Sequence, residues 1–374
     1  MRNTKIFERI APPLLVLALL TFAAAPAALA QEERPRGEFE GEVDVTEVLL
    51  DVVVTDRQGN VIVGLEPEDF RVREDGREVP VESVVFYSSS EPLESAEEMA
   101  ARGIDVDRVP EDRYFILFVD NVQKYSATRL DLVQQQLRAG QDAAEWVRRL
   151  PPADWVAVVG FDRKLEIHAD FTRDKEAAAA AVRRAVSGKE GSANWPSRQK
   201  SADAAGPSLT DDLPSGRALL RATPRVYDAL ELTAEAVDDV VGRKNLIYFG
   251  IGFGELDGFG QYRRDERYYP DMIQALNDAN VAVYPLDVAP SGADHPFEDA
   301  LSGLAHDTGG RYLPFFTSFE TPLNEITREA GGYYLLAYRA THPAGDSGFQ
   351  RVEVSLDDPK LQVRARRGYL YGGE

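Results

Sequence analysis

The chain of 374 residues contains no cysteine and only four histidines. Without cysteine there is no disulfide framework and no lipidated cysteine behind a cleavage site. The sequence has no Gly-x-Ser-x-Gly elbow, no His-Glu-x-x-His and no Walker phosphate loop. Gly250-Ile-Gly-Phe-Gly254 follows an apolar run but lacks the helix start and third-glycine spacing of a dinucleotide site. His168, His295, His306 and His342 are scattered. His168 falls in an expected edge strand, and His306 precedes Asp307-Thr-Gly-Gly310, where it suits the C-terminal end of a helix. Each is read as structural. The acid pairs Asp211-Asp212 and Asp238-Asp239 have no accompanying base and are read as solvated. A noncatalytic protein is therefore expected. A hydrolase without a recognisable motif would need a pocket with perturbed carboxylates, such as Asp287 at the end of its expected strand.

Positive charge is also scarce: 42 Lys and Arg against 63 Asp and Glu give a net charge of −21. Such an excess of carboxylates repels nucleic acid and anionic membrane surfaces, so neither is an expected partner. The clustered Asp-x-Asp-x-Asp-Gly loops of a calcium-loaded protein are missing as well.

Arg2, Lys5 and Arg9 precede the apolar stretch Leu14 to Leu20, and Ala28-Leu29-Ala30 supplies small residues of the kind signal peptidase accepts. This is the pattern of a secretory signal peptide cleaved after Ala30, which predicts a periplasmic or secreted protein. Cleavage would take the charge from −21 to −23, since residues 1 to 30 carry three basic groups and one acid. The alternative is a retained anchor, because Ile10 to Ala30 nearly spans a bilayer; Pro12, Pro13 and Pro26 make it a poor spanning helix. No stable membrane span is expected after cleavage.

Beyond a polar leader over 31–42, period-two patterning sets in. Val48, Leu50, Val52 and Val54 share one face of a strand, and Phe70 to Val79 reads as a hairpin turning at Asp75-Gly76. The last forty residues alternate in the same way at 333–338, 351–356 and 361–365. Neither block has enough strands to enclose a core. Together they supply roughly seven, the number of an immunoglobulin-like sandwich, so one β-sandwich built from 43–90 and 332–374 is expected, with 91–110 as linker.

Between them, over 111–331, strands alternate with helices. Apolar runs at 113–119, 155–161, 164–168, 245–249, 281–287 and 311–313 are separated by helical patterns after Ser126, over 174–186 and over 226–241. This predicts a doubly wound, mostly parallel α/β sheet inserted in the sandwich. The runs at 155–161 and 164–168 are joined too tightly for a crossover, so one edge strand should be antiparallel. Long loops are expected over 187–216 and 250–270. In the second, Tyr262, Tyr268 and Tyr269 stand beside Arg263, Arg264 and Arg267. Tyr and Arg are enriched at interface hot spots, so Tyr262, Arg263, Tyr268, Tyr269 and Lys124 are candidate partner contacts. The loop is equally readable as solvated, with its aromatics packed on their own domain.

Val53-Val-Thr-Asp-Arg-Gln-Gly-Asn60, Asp154-Trp-Val-Ala-Val-Val-Gly-Phe161, Phe171-Thr-Arg-Asp174, Tyr333-Tyr-Leu-Leu-Ala-Tyr338 and Val363 to Tyr369 occur in an order that resembles the von Willebrand factor A domain. More narrowly, the chain is similar to the bacterial secreted group called VWFA-related Acidobacterial domain proteins. The resemblance implies a Rossmann-like fold and a metal-ion-dependent adhesion site with ligands from three loops. The first loop matches at Asp120, but Val122 and Lys124 stand where hydroxyls are expected. Valine cannot ligate, and an ammonium repels a divalent ion. Thr223 falls on the threonine of the second loop, whereas the third reads Gly250-Ile251-Gly252 where an aspartate belongs. Ser126, Glu255 and Asp257 are the nearest substitutes. The site is thus expected to be degenerate, with Asp120 and Thr223 its remaining metal ligands and Mg or Mn bound weakly or not at all. Asp120 is otherwise a strand-end carboxylate paired with Lys124. The expectation that follows is a noncatalytic extracytoplasmic binding or scaffolding protein with a protein partner. The alternatives are a metal-dependent adhesion protein with a rearranged site and a structural envelope protein.

Overall fold

The computed structural model describes residues 47–88, 112–122, 128–188, 206–290, 295–314, 318–342 and 346–372. The signal segment, the 91–110 linker, Lys124 and Ser126 lie outside them.

Fifteen strands are described: β1 (Glu47–Thr55), β2 (Phe70–Glu74), β3 (Arg77–Val79), β4 (Val81–Ser88), β5 (Tyr114–Asp120), β6 (Trp155–Phe161), β7 (Leu165–Thr172), β8 (Lys244–Gly250), β9 (Glu255–Leu256), β10 (Tyr262–Arg263), β11 (Val281–Asp287), β12 (Gly332–Arg339), β13 (Gly348–Leu356), β14 (Gln362–Ala365) and β15 (Gly368–Tyr371). The helices are α1 (Leu130–Arg149), α2 (Lys175–Val186), α3 (Arg217–Ala222), α4 (Val226–Glu235), α5 (Tyr269–Asp278), α6 (Glu298–Asp307) and α7 (Glu320–Glu329). Among the described residues, no helix is long and apolar enough to cross a membrane.

The central sheet has the order β11-β8-β5-β6-β7, and only β7 runs antiparallel to its neighbour. β5, β6, β8 and β11 are buried along their whole length, so they read as unbroken apolar runs. Two cores cover the two faces. Ile116, Phe118, Leu246, Tyr248, Val281 and Val283 pack against α3 to α6, whereas Phe115, Leu117, Val119, Ile247, Phe249 and Leu286 pack against α1, α2 and α7. In α1, Leu132, Val133, Ala139, Ala143, Trp146 and Val147 form the buried stripe. Asp174 caps α2 by accepting from the backbone N–H of Ala177 at 3.0 Å.

Three sequence expectations change. The helix from Val226 ends at Glu235, not Val241, and the chain unwinds through i→i+3 turns to enter the sheet at Lys244. The run at 311–313 contributes one parallel bridge, Leu286 to Leu313, rather than a strand. Within 250–270 the chain forms the β9/β10 hairpin and the start of α5.

The two ends of the chain pair with one another. β1 lies between β12 and β14 in the sheet β14-β1-β12-β4, and β13 joins β15 to β2 in the sheet β15-β13-β2-β3. Both sheets bury side chains in one cluster that includes Leu50, Val52, Phe70, Val72, Tyr334, Leu336 and Val352. Asp75 and Gly76 both adopt positive φ, 45° and 79°, as a two-residue I′ turn between β2 and β3 requires. Glu74, buried in this cluster, accepts from Thr341 N–H at 2.8 Å and from the Tyr369 hydroxyl at 2.7 Å, joining segments nearly three hundred residues apart.

Candidate functional site

The parallel strands all end at one rim of the central sheet, where open α/β sheets present their ligand sites. Phe249 of β8 lies opposite both Val119 of β5 and Leu286 of β11, and Gly250 lies opposite Asp287. Asp120, Gly250 and Asp287 therefore form a row one step further on, and strand periodicity turns them toward the α3–α6 face. Two carboxylates stand about two strand spacings apart, roughly 10 Å, with a glycine between them.

Asp120 is buried, and its Oδ2 accepts a hydrogen bond from the Tyr248 hydroxyl at 2.8 Å. Tyr248 lies on the neighbouring strand, stacked on Phe118 with ring centroids 5.9 Å apart. Behind Asp120, the Gln136 side chain donates to its backbone carbonyl at 2.8 Å and accepts from Val122 N–H at 3.1 Å. Val122 is thereby drawn into the α1 and α2 core. Thr223 caps the C-terminal end of α3, and its buried hydroxyl donates to the Leu219 carbonyl at 2.8 Å. Ile251 packs against the core on the other face. Of the two substitutes that are described, Glu255 accepts from Arg267 at 2.7 Å, and Asp257 Oδ1 accepts from the backbone N–H groups of Phe259 and Gln261. Those acceptors are committed to the loop.

The candidate partner contacts separate. Arg263 is exposed, and Tyr262 is half-buried with its ring against Phe297. Tyr268 is half-buried beneath the Arg225 guanidinium, 3.7 Å from its ring centroid. Tyr269 corrects the sequence expectation: it is 3% exposed, packs in the sheet core and donates its hydroxyl to Asp307 at 2.9 Å, because as the first residue of α5 it faces the sheet. Phe259, which sequence reasoning missed, sits at the hairpin tip and is 93% exposed. Its turn is closed by Asp257 N–H to Gln261 carbonyl at 2.9 Å and Gly260 N–H to Asp257 carbonyl at 3.0 Å. The signal was Asp257-Gly-Phe-Gly260, turn-forming residues around one aromatic.

At the outer corner of the rim, Asp287 is 1% exposed. Its Oδ1 accepts from Ala289 N–H at 2.8 Å, and its Oδ2 accepts from the Tyr312 hydroxyl at 3.0 Å and lies 2.7 Å from His295 Nε2. His295 Nδ1 accepts from Phe297 N–H at 3.3 Å, which leaves the proton on Nε2, facing Asp287. Glu298, the first residue of α6, completes a group of three whose ligating atoms lie within 4.8 Å of one another. Burial pulls the His295 pKa down, but the hydrogen bond and charge of Asp287, with Glu298, outweigh it and hold the pKa above the ordinary imidazole value. The sequence expectation singled out Asp287 but read His295 as structural; the intervening turn brings them together.

The largest cavity, about 730 Å³, lies elsewhere, between α5 and β13 to β15. Several of its arginines are already engaged: Arg264 and Arg367 by Asp307, and Arg364 by Glu329.

No protein-family model matches the chain, and no curated protein does. Among solved structures, it is similar to conserved hypothetical protein BatB from Bacteroides thetaiotaomicron, at 14% identity and TM-score 0.36 over 58% of this chain and 98% of that one. A von Willebrand factor type A protein from Catenulispora acidiphila matches at 10% identity and TM-score 0.38, over 85% and 71%. The ArnB paralog VWA2 from Sulfolobus acidocaldarius matches at 11% identity and TM-score 0.32, over 87% and 75%. At these scores the likenesses carry no weight for this chain, and its architecture rests on its own strand order: a mixed α/β protein with a mostly parallel central sheet.

Proposed function

We propose that this chain is a noncatalytic binding protein that works outside the cytoplasm and engages a protein partner at the rim of its central sheet, through the β9/β10 hairpin. The architecture is read as a von Willebrand factor A-type domain inserted in an immunoglobulin-like sandwich, and its adhesion site as degenerate. The observation that carries the binding reading is Phe259, displayed at 93% exposure on a hydrogen-bonded turn, with Leu256 of the same hairpin 46% exposed. Holding a large apolar ring in water on an ordered turn contributes nothing to folding, whereas an aromatic peg that fills a partner's pocket is a recurrent source of binding energy. Arg263 beside it adds a polar contact of the kind found around such anchors. The extracytoplasmic reading rests on the N-terminal pattern of basic residues, apolar run and Ala28-Leu29-Ala30.

On this reading Asp120 works without Mg or Mn. Support comes from Tyr248, which supplies a proton donor where a cation would sit, and from Val122 and Ile251, which offer no side-chain oxygen. Two experiments test the proposal. Crosslinking pull-downs from the native envelope, with and without EDTA, should recover a partner with the wild-type protein and lose it with Phe259→Ser. Recovery of the same partner at the same yield by both proteins excludes the hairpin as the contact. Calorimetric titration with Mg²⁺ and Mn²⁺ should show no heat that Asp120→Ala abolishes; a site lost in that variant restores the metal-dependent alternative.

A further inference from the structure

We propose that Asp287, His295 and Glu298 form a binding site for a zinc-like divalent transition metal, separate from Asp120 and built on the last parallel strand. One imidazole and two carboxylates are the donor set that zinc accepts, with an open position left for water. The three donor atoms come from three places, the end of β11, the turn after it and the start of α6, and still converge within 4.8 Å.

Two features distinguish this group from a chance gathering of surface acids. Asp287 is buried and already oriented: Ala289 N–H holds one oxygen and the Tyr312 hydroxyl the other, the kind of outer contacts that fix a metal-bound carboxylate. Glu298 Oε1 is buried with no hydrogen-bond partner among the described residues. A carboxylate oxygen shielded from water beside a second buried carboxylate is costly unless a cation faces both. His295 stands at their common edge, its side chain 15% exposed, so an entering ion has a path from solvent.

Zinc bonds to nitrogen and oxygen are about 2.0–2.2 Å long, which sets donors of a tetrahedral site roughly 3.4 Å apart. Binding therefore opens the 2.7 Å contact between His295 Nε2 and Asp287 Oδ2 and closes the wider gap to Glu298. The Nε2 proton leaves to solvent as the metal takes its place, and the 3.3 Å contact from Phe297 N–H to Nδ1 is given up. These movements fall in one side chain and one turn, with β11 unchanged.

The test is a calorimetric titration of the full mature chain, without a polyhistidine tag and stripped with EDTA, against Zn²⁺, together with the visible absorption of the Co²⁺ form. One equivalent of Zn²⁺ is expected, with intense Co²⁺ bands of low coordination number. His295→Gln and Glu298→Gln should each weaken Zn²⁺ binding by at least about tenfold and change the Co²⁺ bands, while Asp120→Asn leaves both as in wild type. Glu298 is only partly buried, so its variant keeps the test open if a change at buried Asp287 prevents folding. Absence of stoichiometric Zn²⁺ binding, or binding insensitive to both His295→Gln and Glu298→Gln, overturns the proposal.

Discussion

The Tyr248 hydroxyl lies 2.8 Å from Asp120 Oδ2, donated across two adjacent parallel strands inside a closed core. A buried carboxylate needs a donor or a cation, and here the protein provides the donor itself. The same strand end that marks a ligand platform is thereby satisfied from within.

Replacing Tyr248 with Phe keeps the ring stacked on Phe118 and removes only the donor. Stability to urea should fall by about 1–3 kcal/mol, the cost of depriving a buried acceptor of one partner. Mg²⁺ binding should not appear in this variant, because Val122 and Ile251 still supply no oxygen. A gain of Mg²⁺ affinity measured by calorimetry would show that Tyr248 alone blocks a working site.

Gly140 reverses the usual rule for helices. Alanine in a helix interior is ordinarily favoured over glycine by about 1 kcal/mol. At Gly140 in α1, however, an added Cβ would overlap the Val186 side chain of α2. Overpacking of a closed core costs roughly 1–3 kcal/mol, so Gly140→Ala should lower the thermal midpoint. An unchanged or raised midpoint would mean that α1 and α2 can move apart at little cost.

His168 sets a pH dependence. Burial, together with the positive charge of Arg184, lowers its pKa to about 4; Glu166, 3.7 Å away, is itself paired with Lys164 at 2.8 Å. The unfolded imidazole titrates near 6.5, so the unfolded chain takes up the proton first as pH falls. The stabilising contribution is complete above about pH 6.5 and is lost between there and pH 4, on the order of 3 kcal/mol in all. Urea unfolding of wild type and His168→Gln at several pH values should show the slope across this window in wild type and a shallower one in the variant.

Phe259 separates binding from stability. With 93% of its surface in water, Phe259→Ala should leave unfolding free energy within about 0.5 kcal/mol of wild type while it removes partner recovery. A large loss of stability would reveal the ring as packing, and the hairpin would no longer qualify as a contact surface.

Much of the fold was legible in the sequence, for a physical reason. Strands buried on both faces must be apolar at every position, so Tyr114 to Val119, Trp155 to Phe161, Asn245 to Phe249 and Val281 to Leu286 stood out as runs. The I′ turn at Asp75-Gly76 was legible too, because positive φ narrows the choice of residues. Sequence order also placed Asp120 and Asp287 at strand ends. What each carboxylate meets there depends on which strands become neighbours and how the turns close, and local patterns do not encode either. Tyr248 reaches Asp120 only because β8 lies beside β5, and Thr223 turns its hydroxyl inward only because α3 ends there. Tyr269 faces the core and Phe259 the solvent, although both sit in one Tyr- and Arg-rich stretch, since the start of α5 packs on the sheet and the hairpin tip does not. His295 and Glu298 join Asp287 because the chain doubles back after β11. The sequence alone determined the layers and the row of strand ends; tertiary structure decided the partners of each carboxylate, because those contacts are made between segments that the chain brings together only on folding.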